Sequence, residues 1–469
     1  MTRTIAGADD LPPADPTSAG WRNRPAGMPA GVPPPSVPLS FLAAAAFGLV
    51  ACGLSLAALR GAVVRDPTAD RVVGAAHLAM LATLSMGVLG ALHQFIPVIT
   101  QRALRSVRLS RATFLCWLAG AWLLPIGFLT RREGVVEAGG AFAASAVALL
   151  VVNVWRALAP RSTSAAVRGL RLSVIGFVAT ACYGVLYVID RRGAWFDLSG
   201  HVVLAHACVG LLAWLGLAYV SVSQKLWPMF MLAHVPGRQR SATVSVWALF
   251  AGTVVLSAGL LAGVGPLAIL GAAGAALGLG AHLNSLVRTI RHRRRSGDLH
   301  LAFVVTSALW LVVGAALALA GVLTVGTHHA RGVALVAAAV AAVAGWLLVA
   351  LVGHSFKIVP FIAWSALRAR GVSTTRAGAQ LMFADLVNPR WAAVDYALVN
   401  VGVASLVAGL SLSSPPFVGT GGASLAAAGV VTGFDLAWRP LRRRDPTPSP
   451  ASEPGPITLA AELRRRERD

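Results

Sequence analysis

Eleven histidines occur in a chain of 469 residues that is otherwise strongly apolar. An ionisable side chain inside a membrane is costly to desolvate, so it is a functional candidate by default. Neutral imidazole is also the commonest metal ligand in proteins. Five histidines fall near one end of the apolar segments, which we call the outer end: His77, His201, His206, His328 and His329. These five are the candidates for a haem or metal site.

His77 and His206 stand near the start of the second and sixth apolar segments, roughly 6–10 Å below the outer boundary at about 1.5 Å per residue. Two such helices facing each other would supply two axial ligands to a haem. The same pair would form half of a copper site completed by His328 and His329, with His201 as a further candidate ligand. The alternative is that His77 and His206 make hydrogen bonds between helices.

Four further histidines, the inner set, lie toward the opposite ends of the segments: His93, His282, His300 and His354. His93 is separated from His77 by about 24 Å along one helix, so the two cannot share a metal ion. Histidines at helix ends often lie at the headgroup level or bind the last carbonyls of the helix. A second site formed by the inner set is the alternative.

The elements that carry these histidines are predicted to be membrane-spanning helices. Hydrophobic residues make up 56% of the chain and charged residues 12%, and the mean hydropathy is +0.71. A soluble chain carries about a quarter charged residues, and about 20 consecutive apolar residues span a bilayer core. The sequence predicts an all-α polytopic membrane protein with about twelve spans. They lie near residues 40–62, 73–98, 111–130, 135–158, 170–189, 200–222, 241–263, 266–288, 301–323, 333–360, 393–413 and 416–437.

The charge distribution predicts the orientation. Counted with the adjoining helix ends, loops after even-numbered spans carry 21 Lys and Arg, and loops after odd-numbered spans carry 8. The positive-inside rule places both termini in the cytoplasm, and we predict that the membrane is a bacterial plasma membrane. We predict a disordered cytoplasmic tail at 1–37, the transmembrane domain at 38–438 and a basic cytoplasmic tail at 439–469. The net charge of +22 therefore indicates contact with anionic lipid rather than nucleic acid.

A short pattern recurs at the ends of the second, sixth and tenth spans. Each copy is a long polar residue, two apolar residues, a proline and two apolar residues, in the segments 94–99, 225–230 and 357–362. A single proline at a helix end is common. Three prolines with a period of four helices predict four-helix units in a pseudo-threefold arrangement.

Two stretches resemble parts of subunit I of the haem–copper oxidases. The segment from His77 to Pro97 is similar to the oxidase helix with a haem-binding histidine and a distal proline. The segment from Ala205 to Trp214 resembles a His-X-His-X-Gly-X-X-Gly-Trp pattern, with Cys208 in place of the second histidine. The likeness is to distant relatives of the cbb3 type and to nitric-oxide-response membrane proteins that bind haem and copper.

The resemblance implies haem, copper or both, bound by His77 and His206, with His201, His328 and His329 as metal ligands. The implied role is electron transfer, redox sensing or the handling of a diatomic gas, together with a redox partner protein. Full oxygen reduction is not expected, because the copper helix and the eighth-helix lysine of the oxidases are absent. The alternatives are a small-solute transporter and a cofactor-free structural subunit of a membrane complex.

Overall fold

A computed structural model describes residues 33–159, 164–195, 200–323, 328–375 and 378–438. Within these ranges the chain is helical and forms no β-strand. Twelve helices are long and apolar enough to cross a membrane, which confirms the predicted fold class. In chain order they are α1 (Ser36–Ala58), α2 (Asp70–Thr100), α3 (Val107–Thr130), α4 (Glu133–Leu158), α5 (Ala165–Gly193), α6 (His201–Met231), α7 (Gln239–Leu261), α8 (Gly265–Arg291), α9 (Leu299–Leu323), α10 (Arg331–Ala369), α11 (Pro389–Ser411) and α12 (Pro415–Leu436).

The predicted tails lie outside the described residues, apart from 33–37, where α1 already begins at Ser36. The loops that follow even-numbered helices contain Arg102, Arg294 and Arg370. We call the side of the bundle where these loops lie the Arg-rich face. Successive helices alternate in direction, so α2, α6 and α10 all end at this face.

Local sequence explains the two tightest connections, from α7 to α8 and from α11 to α12. Pro266 lies in the first turn of α8 and Pro415 begins α12. The first-turn N–H groups have no partner within a helix, so proline is tolerated there. Asn388 caps α11, because its side chain accepts a hydrogen bond from the backbone N–H of Arg390.

Glycines allow α7 and α8 to pack closely. A Cβ atom placed on Gly252, Gly259, Gly271 or Gly278 would lie 2.0–2.4 Å from a backbone atom of the partner helix. Small residues permit this approach in membrane helices. On the other side of α8, large side chains such as Leu270 remain exposed. Exposed apolar side chains on a spanning helix indicate contact with lipid.

A π-helical segment interrupts each of the three helices that carry the recurring proline pattern. The segments are Leu78–Ser85 in α2, Val209–Gly216 in α6 and Ala341–Leu348 in α10. Each one begins 19 residues before the proline of its helix, which is residue 97, 228 or 360. The agreement in register supports the pseudo-threefold arrangement of the fold. Because π segments are rare and occur frequently at functional sites, they also direct attention to these three helices.

The helices α2, α6 and α10 come together around one cavity. Equivalent positions of the three helices form four layers around a small cavity of about 70 Å³, which we call the axial cavity. The spacing of four, three and four residues between layers is that of parallel helices packed side by side. The layers are Leu84/Leu215/Leu347, Val88/Tyr219/Leu351, Ala91/Val222/His354 and Phe95/Leu226/Ile358.

Candidate functional site

A second, larger cavity of about 340 Å³ lies in the half of the bundle farther from the Arg-rich face. Residues of α2, α3, α4, α5, α6 and α10 line it, and His77 and His206 both belong to its wall. Besides these two histidines and the indole groups of Trp117 and Trp214, the polar side chains of the wall are those of Ser85 and Thr180. Cofactor sites typically measure about 300–1,000 Å³ and are mostly apolar with a few polar groups. We call this space the histidine cavity.

Backbone and aromatic contacts hold the His77 ring. Its Nδ1 lies 2.8 Å from the carbonyl oxygen of Val73, one turn earlier in α2. Because a carbonyl only accepts, Nδ1 carries the proton and Nε2 keeps the lone pair in the neutral ring. The ring stacks on Phe128 of α3 with a centroid distance of 5.3 Å and an angle of 16°. The guanidinium of Arg191 lies over the same phenyl ring, 5.1 Å from its centroid.

The His206 ring packs against two tyrosines of α5. The centroid distances are 5.5 Å to Tyr187 and 6.3 Å to Tyr183, and both contacts are edge-to-face. The Tyr187 hydroxyl donates to the carbonyl oxygen of Val202, and the Tyr183 hydroxyl lies 3.0 Å from the Ser257 hydroxyl. His206 Nδ1 is buried and has no hydrogen-bond partner among the described residues.

The π segments of α2 and α6 form the floor of the histidine cavity. Trp214 Nε1 donates to the Ser85 hydroxyl at 3.0 Å, and the indole stacks on Phe177 at 3.9 Å. Trp117 Nε1 donates to the carbonyl oxygen of Leu81 at 3.2 Å, within the π segment of α2. These bonds satisfy polar groups that would otherwise be unpaired in apolar surroundings. The floor separates the histidine cavity from the axial cavity.

An ion-pair group lies at the outer ends of α2, α4 and α5. Arg191 of α5 contacts Asp70 of α2 at 3.2 Å and Glu133 of α4 at 2.6 Å. A neighbouring pair joins Arg192 to Glu137 at 2.9 Å. Because Arg191 also covers Phe128, the group connects the protein surface to the residue that stacks on His77.

The structure places only part of the predicted ligand set at the histidine cavity. His201 is exposed at the start of α6 and does not belong to the described wall. The helix that continues into α10 begins at His328, but the side chains of His328 and His329 lie outside the described part of the chain. Among the described residues, no three His, Cys, Asp or Glu side chains come together as a metal site.

Several contacts of the site have no clear signal in the sequence. Phe128 and Arg191 lie on other helices than the histidine they support, and the hydrogen bond between Ser85 and Trp214 joins residues far apart in the chain. Trp214 alone was singled out by the sequence, as the end of the family-like pattern. No protein-family model matches the chain, and no curated protein matches it.

Proposed function

We propose that the chain is a membrane haem protein that binds one haem in the histidine cavity, with His77 and His206 as iron ligands. The observation that carries the proposal is that imidazoles from two different helices line one apolar cavity. The proposed role is electron transfer, redox sensing or the binding of a diatomic gas. Bound haem would supply the redox and gas-binding chemistry.

The protonation pattern of His77 supports its assignment as a ligand. A metal-binding histidine usually donates its other ring N–H to a carbonyl or carboxylate, which sets the tautomer and raises the basicity of the ligating nitrogen. Val73 supplies such a carbonyl at 2.8 Å from Nδ1. The stacked Phe128 ring restricts rotation of the imidazole. His77 is thus held with its Nε2 lone pair available before any ligand binds.

The environment of His206 fits the role of a second ligand. Tyr183 and Tyr187 enclose its ring from one side, and both tyrosine hydroxyls are engaged with other groups. Neither hydroxyl therefore competes for the imidazole. The apolar wall excludes water and so helps to set the reduction potential of a bound cofactor.

Copper in the same cavity is the second form of the proposal. His77 and His206 would give two nitrogens, and His328 or His329 would have to give a third. His201, the other candidate, lies away from the described wall. Two nitrogen ligands suffice for haem, so haem has the stronger support.

The test is the haem content of the purified, detergent-solubilised chain, measured after expression with a haem precursor. We expect about one haem per chain, retained in His201→Ala and lost in the double variant His77→Ala/His206→Ala. His201→Ala is the matched control because it removes an exposed histidine from the same helix as His206. A wild-type protein without haem, or a double variant with full haem content, would contradict the proposal.

A further inference from the structure

Three histidines of the inner set lie in the half of the bundle toward the Arg-rich face, and two of them, His282 and His354, pack against Tyr219. His282, His300 and His354 are each at least 95% buried. Each has one ring nitrogen without a hydrogen-bond partner among the described residues: Nδ1 of His282, Nε2 of His300 and Nε2 of His354. Buried polar atoms are nearly always satisfied by protein, water or an ion. Unsatisfied Nε2 atoms on the two adjacent imidazoles of His300 and His354 therefore indicate a ligand between them.

Two of these histidines face each other. The ring centroids of His300 and His354 are 4.9 Å apart, and the ring planes are nearly perpendicular at 80°. His354 Nδ1 lies 2.7 Å from the carbonyl oxygen of Ala350, so it carries the proton and Nε2 keeps the lone pair. We propose that His300 and His354 bind one d¹⁰ transition-metal ion, Cu⁺ or Zn²⁺, through their Nε2 atoms. This site is distinct from the histidine cavity and does not depend on haem binding.

The separation of the two rings suits a shared ion. A metal–nitrogen bond of about 2.0–2.1 Å and a further 1.1 Å or so from nitrogen to ring centre place each centroid about 3.1 Å from the ion. The observed centroid separation of 4.9 Å then corresponds to a nitrogen–metal–nitrogen angle of about 100°. That angle is close to tetrahedral, which is the geometry of a site with further ligands rather than a linear two-coordinate one.

The axial cavity supplies room for the remaining ligands. His354 belongs to its wall, together with Tyr219. Its volume of about 70 Å³ holds at least one water, because a single water needs about 10–15 Å³ on this scale. No third His, Cys, Asp or Glu joins the pair among the described residues. The remaining coordination positions of the ion are therefore filled by water or by a small molecule in the axial cavity.

Charge at the site favours a monovalent ion. The imidazoles are neutral ligands, and no Asp or Glu joins the pair as a ligand among the described residues. Lys357, one turn after His354, is paired with Asp298 at 2.6 Å, so its charge is compensated. Placing charge in a medium of low dielectric is costly, and the cost rises steeply with the charge. Cu⁺ is therefore the first ion to test and Zn²⁺ the second; imidazole binds both metals well.

The experiment measures metal binding by the full-length chain in detergent. Apoprotein is titrated anaerobically with Cu⁺ and, separately, with Zn²⁺, each in competition with a chromophoric chelator. The variants are His300→Ala, His354→Ala and the double variant. His282→Ala is the matched control, because His282 is equally buried with an unsatisfied nitrogen but packs on Trp227 at 4.6 Å instead of on the pair. Haem content is recorded on every sample, so loss of haem and loss of the ion are separate results.

We expect one ion per wild-type and per His282→Ala chain, and affinity weakened by at least about tenfold in either single variant. X-ray absorption of the wild-type protein is expected to show nitrogen ligands at about 2.0 Å; it keeps the proposal testable if the alanine variants fail to fold. Failure of the wild-type chain to bind either ion would overturn the proposal, since water would then bridge the two rings. Unchanged affinity in the double variant would overturn it equally.

Discussion

Gly176 of α5 is a position where the packing beside the histidine cavity leaves no room for a side chain. A Cβ atom at this position would lie 2.4 Å from the carbonyl oxygen and 2.6 Å from the carbonyl carbon of Ala213, in the π segment of α6. Ordinary contacts between such atoms begin at about 3.4 Å or more. A Gly176→Ala chain must therefore move α5 and α6 apart by about 1 Å, because a backbone carbonyl has no rotamer with which to avoid the clash.

Moving the two helices apart weakens the contacts between them. A gap of about 0.5–1 Å removes a quarter to a half of the dispersion energy of each contact across it. Phe177 and Trp214, stacked at 3.9 Å across the same pair of helices, would separate as well. Overpacking of this kind typically lowers the free energy of unfolding by about 1–3 kcal/mol. We expect Gly176→Ala to lower the melting temperature clearly and to reduce haem content.

The assay is thermal unfolding in detergent, followed by tryptophan fluorescence. Gly280→Ala is the control, because a Cβ there meets nothing within 4 Å. Replacing glycine by alanine inside an unstrained helix normally stabilises it by about 0.4–1 kcal/mol. The control is thus expected to melt at or slightly above the wild-type temperature. If Gly176→Ala melts with the control, the close approach of α5 and α6 is wrong.

Two further predictions concern hydrogen bonds and charge. Trp214→Phe and Ser85→Ala each remove the hydrogen bond between these two side chains. A double-mutant cycle on the free energy of unfolding is expected to give a coupling energy of about 0.5–1.5 kcal/mol. A coupling energy near zero would exclude the hydrogen bond. Asp298 lies outside the spans. Partial burial raises the pKa of its carboxyl group, but the hydrogen bond and the charge of Lys357 have the larger combined effect and hold that pKa below its usual value. A lowered pKa in the folded state stabilises the protein above the unfolded pKa of about 3.9 and loses that effect as the pH falls. Melting temperatures between about pH 6 and pH 3 should therefore fall further for the wild type than for Asp298→Asn, and parallel curves would contradict the ion pair.

The sequence predicts the helices well, because membrane spans are set by apolar length alone. The Pro97, Pro228 and Pro360 pattern also identifies α2, α6 and α10 as related. The π segments are not predictable from it, because their residues are as apolar as the rest of each helix. Their common register becomes visible only in the backbone.

The sequence predicts how deep in the membrane the candidate site lies, but not which histidines face the cavity. Counting residues places His77, His201 and His206 in the outer parts of their helices. His201 and His206, however, differ by about 140° around the helix axis, and only the packing of α6 decides which of them faces the cavity. For the same reason the facing of His300 and His354 depends on how α9 packs against α10, which a single sequence does not specify.

The central claim is that His77 and His206 coordinate one iron, and ligand-sensitive spectroscopy of the oxidised protein tests it most directly. The electron paramagnetic resonance spectrum of the wild-type chain is predicted to show a low-spin haem with two imidazole ligands. His77→Ala and His206→Ala should each convert it to a high-spin signal, while His201→Ala leaves it unchanged. A low-spin signal that survives in both single variants would contradict the account.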